Sequence, residues 1–492
     1  MSHPSSDWSY STVGELTAAL AARQVSALEL TEDAIGRIEA YDGAINAVCV
    51  RDFDRALAAA RVADAALAAG ERRPLLGIPI TVKESYNIAG LPTTWGFPAA
   101  KDFVAAEDAL AVARVKAAGA VVLGKTNVPF ALGDFQSYND IYGATANPWD
   151  LERTPGGSSG GSSAALAAGY GPLSLGSDIG GSLRAPALFC GVYAHKPSLG
   201  IAPGRGHTPP GAPALPRESD LAVIGPMARS AADLSLLLDV IAGPDPWDAG
   251  IAYRLELPPP RHEVLKDYRV LVLDSHPLLP TAESVRAAIA GLAKRLADAG
   301  TSVAHDSALL PDLSDAARVY MRLLRAFLGF TIPPEIYEQI RGAVARLDPG
   351  DLGFAADSLR GWTLSHRDWL IDDAKRTRLK AQWAALFGAF DAVICPVMPT
   401  PAFPHDRSGR PDDRRIRVDG VEIPYVDQLI WAGVATAPGL PATAIPVGLS
   451  PEGLPIGVQI IGPWLEDRTP LALAALIERE FGGFIPPPMF AD

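Results

Sequence analysis

Residues 154–169 read Thr-Pro-Gly-Gly-Ser-Ser-Gly-Gly-Ser-Ser-Ala-Ala-Leu-Ala-Ala-Gly, and no other stretch restricts the fold as much. Glycines and hydroxyls interleave and then run directly into a small-residue helical pattern. Glycine adds no side-chain bulk and permits positive φ. A helix start presents unpaired N–H groups. The segment therefore describes a loop whose backbone comes very close to something, at the head of a helix. The competing reading is a flexible Gly/Ser linker. The segment lies between apolar stretches and opens straight into a helix, and a linker needs neither feature.

A second cluster follows at Gly176-Ser-Asp-Ile-Gly-Gly-Ser-Leu-Arg-Ala-Pro186. Ser182 stands just after two glycines, so the N–H groups of Ile179, Gly180, Gly181 and Ser182 can point at one spot. An oxyanion hole requires such donors, fixed where negative charge develops on an attacked carbonyl oxygen. A serine hydroxyl is a poor nucleophile without an activating base. Lys83 closes the β-branched run Ile80-Thr-Val-Lys83 and would be delivered into the interior. Desolvation there weakens the charged ammonium and makes a lysine usable as a base. A buried structural lysine with a salt-bridge partner is the alternative for that segment.

Around these clusters helix and strand patterns alternate. The spacing of apolar residues predicts two helices over 13–41 with a break near Gln24-Val25-Ser26, then helices over 51–69 and 108–118. Short β-branched or apolar runs predict strands at 76–82, 120–123, 270–273, 392–395, 442–446 and 456–461. Further helices are expected over 230–241, 282–299, 315–328, 365–387 and 470–481. Such alternation over the whole length argues for an α/β fold: a central twisted mixed sheet covered by helices on both faces. No fixed-period repeat appears, and the proline-rich stretches are too short for an interdomain linker. One domain over 1–492 is expected, with N-terminal helices in 1–70 and an elaboration at 309–370.

Composition removes several function classes. The chain carries 56 acidic and 43 basic residues, a net charge of −13, with no basic stripe to bind nucleic acid. The N-terminal Met1-to-Tyr10 segment has neither a basic nor an apolar signal region, and no apolar run is long enough to span a bilayer. Cys49, Cys190 and Cys395 are odd in number and far apart, which suits free thiols in a reducing, cytoplasmic compartment. The eight histidines lack metal-ligand spacing. No metal and no organic cofactor are expected, and a homodimer is left open.

Taken together, the Lys83, Ser158 and Ser182 segments resemble the amidase signature family. The likeness extends through Gly77-to-Lys83, Gly124-Lys-Thr-Asn127, Tyr142-Gly143, Asn147-Pro-Trp149, Gly439-Leu-Pro-Ala442 and Gly453-to-Gln459. It implies a cofactor-free hydrolase of C–N amide bonds, with related aryl amides, esters and carbamates within reach of the same chemistry. By resemblance Lys83 is the base, Ser158 a relay serine after a cis peptide bond, and Ser182 the nucleophile. Ser159, Asp178 and Arg184 also match family positions and are expected to support the network. Two departures stand out: Ala194-His-Lys-Pro-Ser198 replaces the usual Gly-Leu-Lys-Pro-Thr, and Ser177 replaces a threonine. Neither is expected to touch the three central residues.

Other readings fall short. Gly119-to-Thr126 fits the P-loop pattern, but its inner residues Ala-Val-Val-Leu read as a strand rather than a phosphate cradle. Gly156-Gly-Ser-Ser-Gly160 fits a nucleophile elbow, yet His195, His207 and His366 sit in no recognisable triad loop. A glutaminase-type subunit of a tRNA-dependent amidotransferase shares the family core but usually keeps the Gly-Leu-Lys-Pro-Thr pattern. A non-catalytic binding protein has no need of all three central residues. For the small-molecule amide or related acyl substrate, Leu132, Gly133, Phe135, Gln136 and Tyr138 are expected to border the acyl pocket. The apolar and aromatic residues of 309–370 form either a helical cap over the site or an ordinary amphipathic pair.

Overall fold

The computed structural model describes residues 8–216, 219–330 and 332–490; Met1-to-Asp7, part of the N-terminal segment read above, lie outside the described residues. Two capping boxes set the first helices. Thr12 and Glu15 bond reciprocally at the head of Val13–Ala21, and Ser26 and Glu29 do so at the head of Ala27–Ile45. The second cap explains the break seen in the sequence. Each side chain satisfies an N–H that would otherwise be left bare at a helix start.

Eleven strands form one sheet. In chain order they are β1 (Val48–Arg51), β2 (Pro79–Lys83), β3 (Val121–Thr126), β4 (Leu173–Asp178), β5 (Tyr193–Lys196), β6 (Val223–Ala228), β7 (Arg269–Val272), β8 (Ser302–Ala304), β9 (Ala392–Cys395), β10 (Ala442–Leu449) and β11 (Pro455–Ile461). Their spatial order is β1-β3-β2-β4-β6-β5-β10-β11-β9-β7-β8. β2 runs parallel to both β3 and β4, and β7 runs parallel to β8 and β9. The remaining neighbours are antiparallel, so the sheet is mixed and helices flank it. Every residue of β2, β3, β4 and β6 is buried, as expected of strands covered on both faces.

This burial settles the P-loop pattern. Residues 121–126 are a strand paired with β1 on one side and β2 on the other, so its amides sit in ladders. Lys125 turns its ammonium to the Pro92 carbonyl and to Thr93 Oγ1 at 2.9 Å.

β4, β5 and β6 were not expected. Their sequences Leu-Ser-Leu-Gly-Ser-Asp, Tyr-Ala-His-Lys and Val-Ile-Gly-Pro-Met-Ala contain small and polar residues that hide a strand pattern. In region 309–370 the structure places helices Leu313–Gly329, Pro334–Ala345 and Phe354–Gly361. The first buries nine residues, while the second buries none. Among the described residues no helix is long and apolar enough to cross a membrane.

Candidate active site

The sheet centre delivers the three residues to one place. Lys83 ends β2, buried between β3 and β4, and its side chain is 0% exposed. The glycine-rich loop runs over it into the helix Gly160–Ala167, and the Gly157–Ser158 peptide bond is cis. Lys83 Nζ donates to Ser158 Oγ at 2.7 Å and to Ser177 Oγ at 2.9 Å. The Ser159 N–H donates to the Ser182 carbonyl at 3.1 Å and ties the two loops together. Ser158 is 1% exposed and Ser182 9%.

Glycine at 157 follows from crowding. A Cβ there would stand 2.3 Å from the Asp134 carbonyl oxygen and 2.8 Å from the Gln136 nitrogen. The loop therefore lies directly on segment 134–137. Ser137 Oγ reinforces the contact, donating to the Gly156 carbonyl and accepting from the Gly160 N–H, both at 3.1 Å.

Electrostatics follow from burial. Desolvation pushes the Lys83 ammonium down to about 7, with the Asp178 charge opposing the shift. Burial acts to raise the Asp178 carboxyl, but Arg184 more than offsets it, aided by Lys196 and the Gly181 N–H, and the carboxyl ends below its ordinary value. Arg184 grips both Asp178 oxygens at 3.0 and 2.9 Å and is itself fully buried. It also donates to the Ala432 carbonyl, Gln459 Oε1 and Thr436 Oγ1. Asp178 in turn accepts the N–H groups of Gly181 at 2.8 Å and Leu183 at 3.1 Å, which shapes the 178–183 turn.

Two sequence expectations need correction. The Gly181 N–H points at the Asp178 carboxylate rather than into the site, so of the four expected donors Ile179, Gly180 and Ser182 remain. Ser177 does touch the network: its hydroxyl is an acceptor for Lys83. Nothing in the local sequence pattern gives Ser177 that position, because β4 itself is hidden there.

Segment 130–138 is brought beside the glycine-rich loop, with its members differently occupied. Gln136 is fully buried and clamps the Asp406 backbone, donating to its carbonyl at 2.6 Å and accepting from its N–H at 2.8 Å. Phe135 is buried against Tyr425, and the Tyr138 hydroxyl accepts from Arg414 at 2.6 Å. Leu132 is half-buried and Gly133 exposed. Tyr320, from the helix Leu313–Gly329, donates to the Ile179 carbonyl at 2.9 Å, so that helix braces the loop before Ser182.

The histidines stand elsewhere. His195 is buried between Thr443 Oγ1 at 2.9 Å and Asp467 Oδ1 at 3.1 Å. His366 opens a helix and stacks on Trp369. His207 Nε2 lies 2.9 Å from Ser85 Oγ, and burial followed by the nearby Lys83 charge drives its imidazolium down to about 3. None of the three pairs with Ser158 or Ser182. Among the described residues no His, Cys, Asp and Glu side chains gather into a group that could hold a metal ion.

The fold is a mixed α/β sheet flanked by helices, and it carries a buried lysine, a glycine-rich serine loop and a second glycine–serine turn close together. The Amidase family model matches residues 29–471, and the chain belongs to that family. It is 34% identical to a glutamyl-tRNA(Gln) amidotransferase subunit from Roseiflexus castenholzii over 499 residues, covering 95% of each chain. It is 32% identical to fatty-acid amide hydrolase 2-A of Danio rerio, covering 94% of this chain and 87% of that one. Among solved structures, an inhibitor-bound vestigial protein complex tied to the origins of an s-triazine catabolic enzyme superposes with a TM-score of 0.78. That chain is 32% identical, with 96% of this chain and 99% of that one covered.

Proposed function

We propose that this chain is an amidohydrolase that cleaves C–N amide bonds through an acyl-enzyme on Ser182. The observation that carries the reading is the 2.7 Å contact between Ser158 and a lysine that is fully buried and titrates near 7. In the proposed sequence Ser182 Oγ attacks the carbonyl carbon. Its proton passes to Ser158, whose own proton passes to neutral Lys83. The N–H groups of Ile179, Gly180 and Ser182 hold the oxyanion. Lys83 then returns the proton through Ser158 to the leaving nitrogen, the C–N bond breaks, and water releases the acyl group by the same relay. Ser159, Asp178 and Arg184 hold the loops in register, and the helix Leu313–Gly329 closes the site from one side. Linear amides suit this chemistry, and esters and carbamates pass through the same tetrahedral oxyanion. The free cysteines among the described residues favour a reducing, cytoplasmic location.

The test is Ser182→Ala assayed on a panel of amides, anilides, esters and carbamates. Loss on the order of 10³-fold or more in kcat is expected with folding intact. Near-native turnover in that variant refutes the assignment.

A second reading is a glutaminase-type subunit of a tRNA-dependent amidotransferase, favoured by the 34% identity to one such protein over almost the whole chain. It predicts ammonia release from glutamine that needs partner chains. Hydrolysis of simple amides by the isolated chain, with no glutaminase activity, decides for the first reading.

A further inference from the structure

The turn before Ser182 is held by two different partners. Asp178 takes the N–H groups of Gly181 and Leu183 at 2.8 and 3.1 Å, which fixes the 180–181 and 182–183 peptide planes. The 179–180 peptide lies outside that grip. Gly180 stands on one side of it with a second glycine next, and glycine backbone rotates at little cost. This plane therefore needs a hold of its own. Tyr320 supplies it: from the helix Leu313–Gly329, 141 positions away, its hydroxyl donates to the Ile179 carbonyl at 2.9 Å.

In a trans peptide the C=O and N–H point in opposite directions. Holding the Ile179 carbonyl against Tyr320 therefore turns the Gly180 N–H away from that helix. Gly180 is buried, and among the described residues no protein acceptor takes its N–H. A buried amide is costly to leave unpaired, so this donor stands ready for an acceptor that arrives with the reaction. The tyrosine has little room to move. It is fully buried, and a Cβ on Gly433 of the helix Leu429–Thr436 would lie 2.4 Å from its ring Cδ1. A Cβ on Gly180 would lie 2.5 Å from Leu429 Cδ2 and 3.4 Å from the Tyr320 hydroxyl. Glycine at both places lets the two helices, the ring and the turn close on one another. Burial, and then the Asp178 charge, raise the titration of the Tyr320 hydroxyl, so it is a donor throughout the range in which Lys83 titrates.

We propose that Tyr320 is a positioning residue for the reaction: through the Ile179 carbonyl it sets the 179–180 peptide so that the Gly180 N–H meets the oxyanion formed when Ser182 attacks. This rests on the amidohydrolase reading and adds to it a residue from outside both glycine–serine loops. The oxyanion exists only once the bond from Ser182 Oγ to the carbonyl carbon forms and the carbonyl π pair moves to oxygen. Loss of alignment therefore lowers kcat rather than raising KM. It affects amides and esters alike, because both pass through that oxyanion, in contrast to loss of the Lys83 base.

The experiment measures kcat and KM across the Lys83 titration for a matched amide and ester in wild type, Tyr320→Phe and Met321→Ala. Phenylalanine keeps the ring on Gly433 and deletes only the hydroxyl. Met321 is buried in the same helix and controls for loosening it. Removing a whole oxyanion donor costs about 10²–10³ in kcat. Tyr320→Phe leaves the donor present but unaligned, so kcat should fall about ten- to thirtyfold on both substrates, with KM within about twofold. The rise with pH through about 7 should stay in place while its plateau drops. Met321→Ala is expected to keep kcat within about twofold although its unfolding midpoint falls. A trifluoromethyl ketone carrying the same acyl group gives a readout independent of turnover. Ser182 Oγ adds to the ketone carbon, the carbonyl pair becomes the hemiketal oxyanion, and the proton passes through Ser158 to Lys83. Its inhibition constant should rise in Tyr320→Phe by about the factor that kcat loses. The corresponding trifluoromethyl alcohol forms no oxyanion and should bind both proteins equally. Unchanged kcat in Tyr320→Phe, a rise in KM alone, a moved pH midpoint with the plateau intact, or equal weakening of ketone and alcohol each overturns the proposal. An equal kcat loss in Met321→Ala also overturns it and leaves Tyr320 a support for its helix. Absence of both turnover and ketone adduct in wild type would refute the hydrolase reading and this proposal with it, whereas wild-type turnover that Tyr320→Phe leaves intact counts against Tyr320 alone.

Discussion

Lys83 offers the sharpest test of the proposed mechanism, because in that relay its protonation state sets the rate. In water a lysine titrates near 10.4, so only about four molecules in ten thousand would be neutral at pH 7. Complete burial brings the group to about 7, which makes half of it neutral there, a gain of about 10³ in available base. The same shift corresponds to roughly 5 kcal/mol of net disfavour of the ammonium form, burial less the Asp178 attraction. The sign follows from the proposed relay: the neutral amine is the form that accepts the proton, so kcat/KM is expected to rise with pH. About one-tenth of the plateau is expected at pH 6 and about nine-tenths at pH 8, with no fall into the alkaline range. Lys83→Ala removes the base and leaves the nucleophile. A matched ester should suffer less than its amide, because an alkoxide departs with little proton delivery whereas an amine must be protonated first. Lys83→Arg should not restore activity, since a guanidinium does not deprotonate in a protein. The measurement is kcat/KM against pH for a matched amide and ester in all three proteins. Equal losses on ester and amide would leave Lys83 a structural residue. A wild-type-like Lys83→Arg enzyme would end the general-base reading.

Two further outcomes follow from the same network. Ser177→Ala deletes one of the two hydroxyl acceptors of Lys83 and should lower kcat about five- to tenfold. Ser177→Thr should restore most of that rate, and a silent Ser177→Ala would remove Ser177 from the network. Arg184→Met leaves the Asp178 carboxylate buried without its bidentate partner. This should destabilise the fold by about 3–5 kcal/mol, read by denaturant unfolding; an unchanged midpoint would show that Asp178 is held by its backbone donors alone.

The residue order alone determined much of this protein. Apolar spacing with a break near Gln24-Val25-Ser26 predicts two helices, and they are found at Val13–Ala21 and Ala27–Ile45. β-Branched runs locate β2, β3, β7, β9 and β11. The P-loop pattern at 119–126 resolves as a strand from its inner apolar residues, as found. Glycines standing next to serines mark both site loops, because close backbone approach tolerates little else.

Tertiary structure decided the rest. β4, β5 and β6 are stable strands because they are covered on both faces, a context that lets Gly176, Ser177 and Pro226 sit in a ladder without a local strand signature. The sheet order brings β4 beside β2, and only that neighbour relation puts Ser177 against Lys83. The Gly181 N–H is lost to the site because Asp178, fixed by a distant set of Arg184 contacts, accepts it first. Trp95 takes a left-handed φ under the pull of Glu84 and the Ala131 amide. Such outcomes depend on partners far away in sequence, and local periodicity carries no record of them.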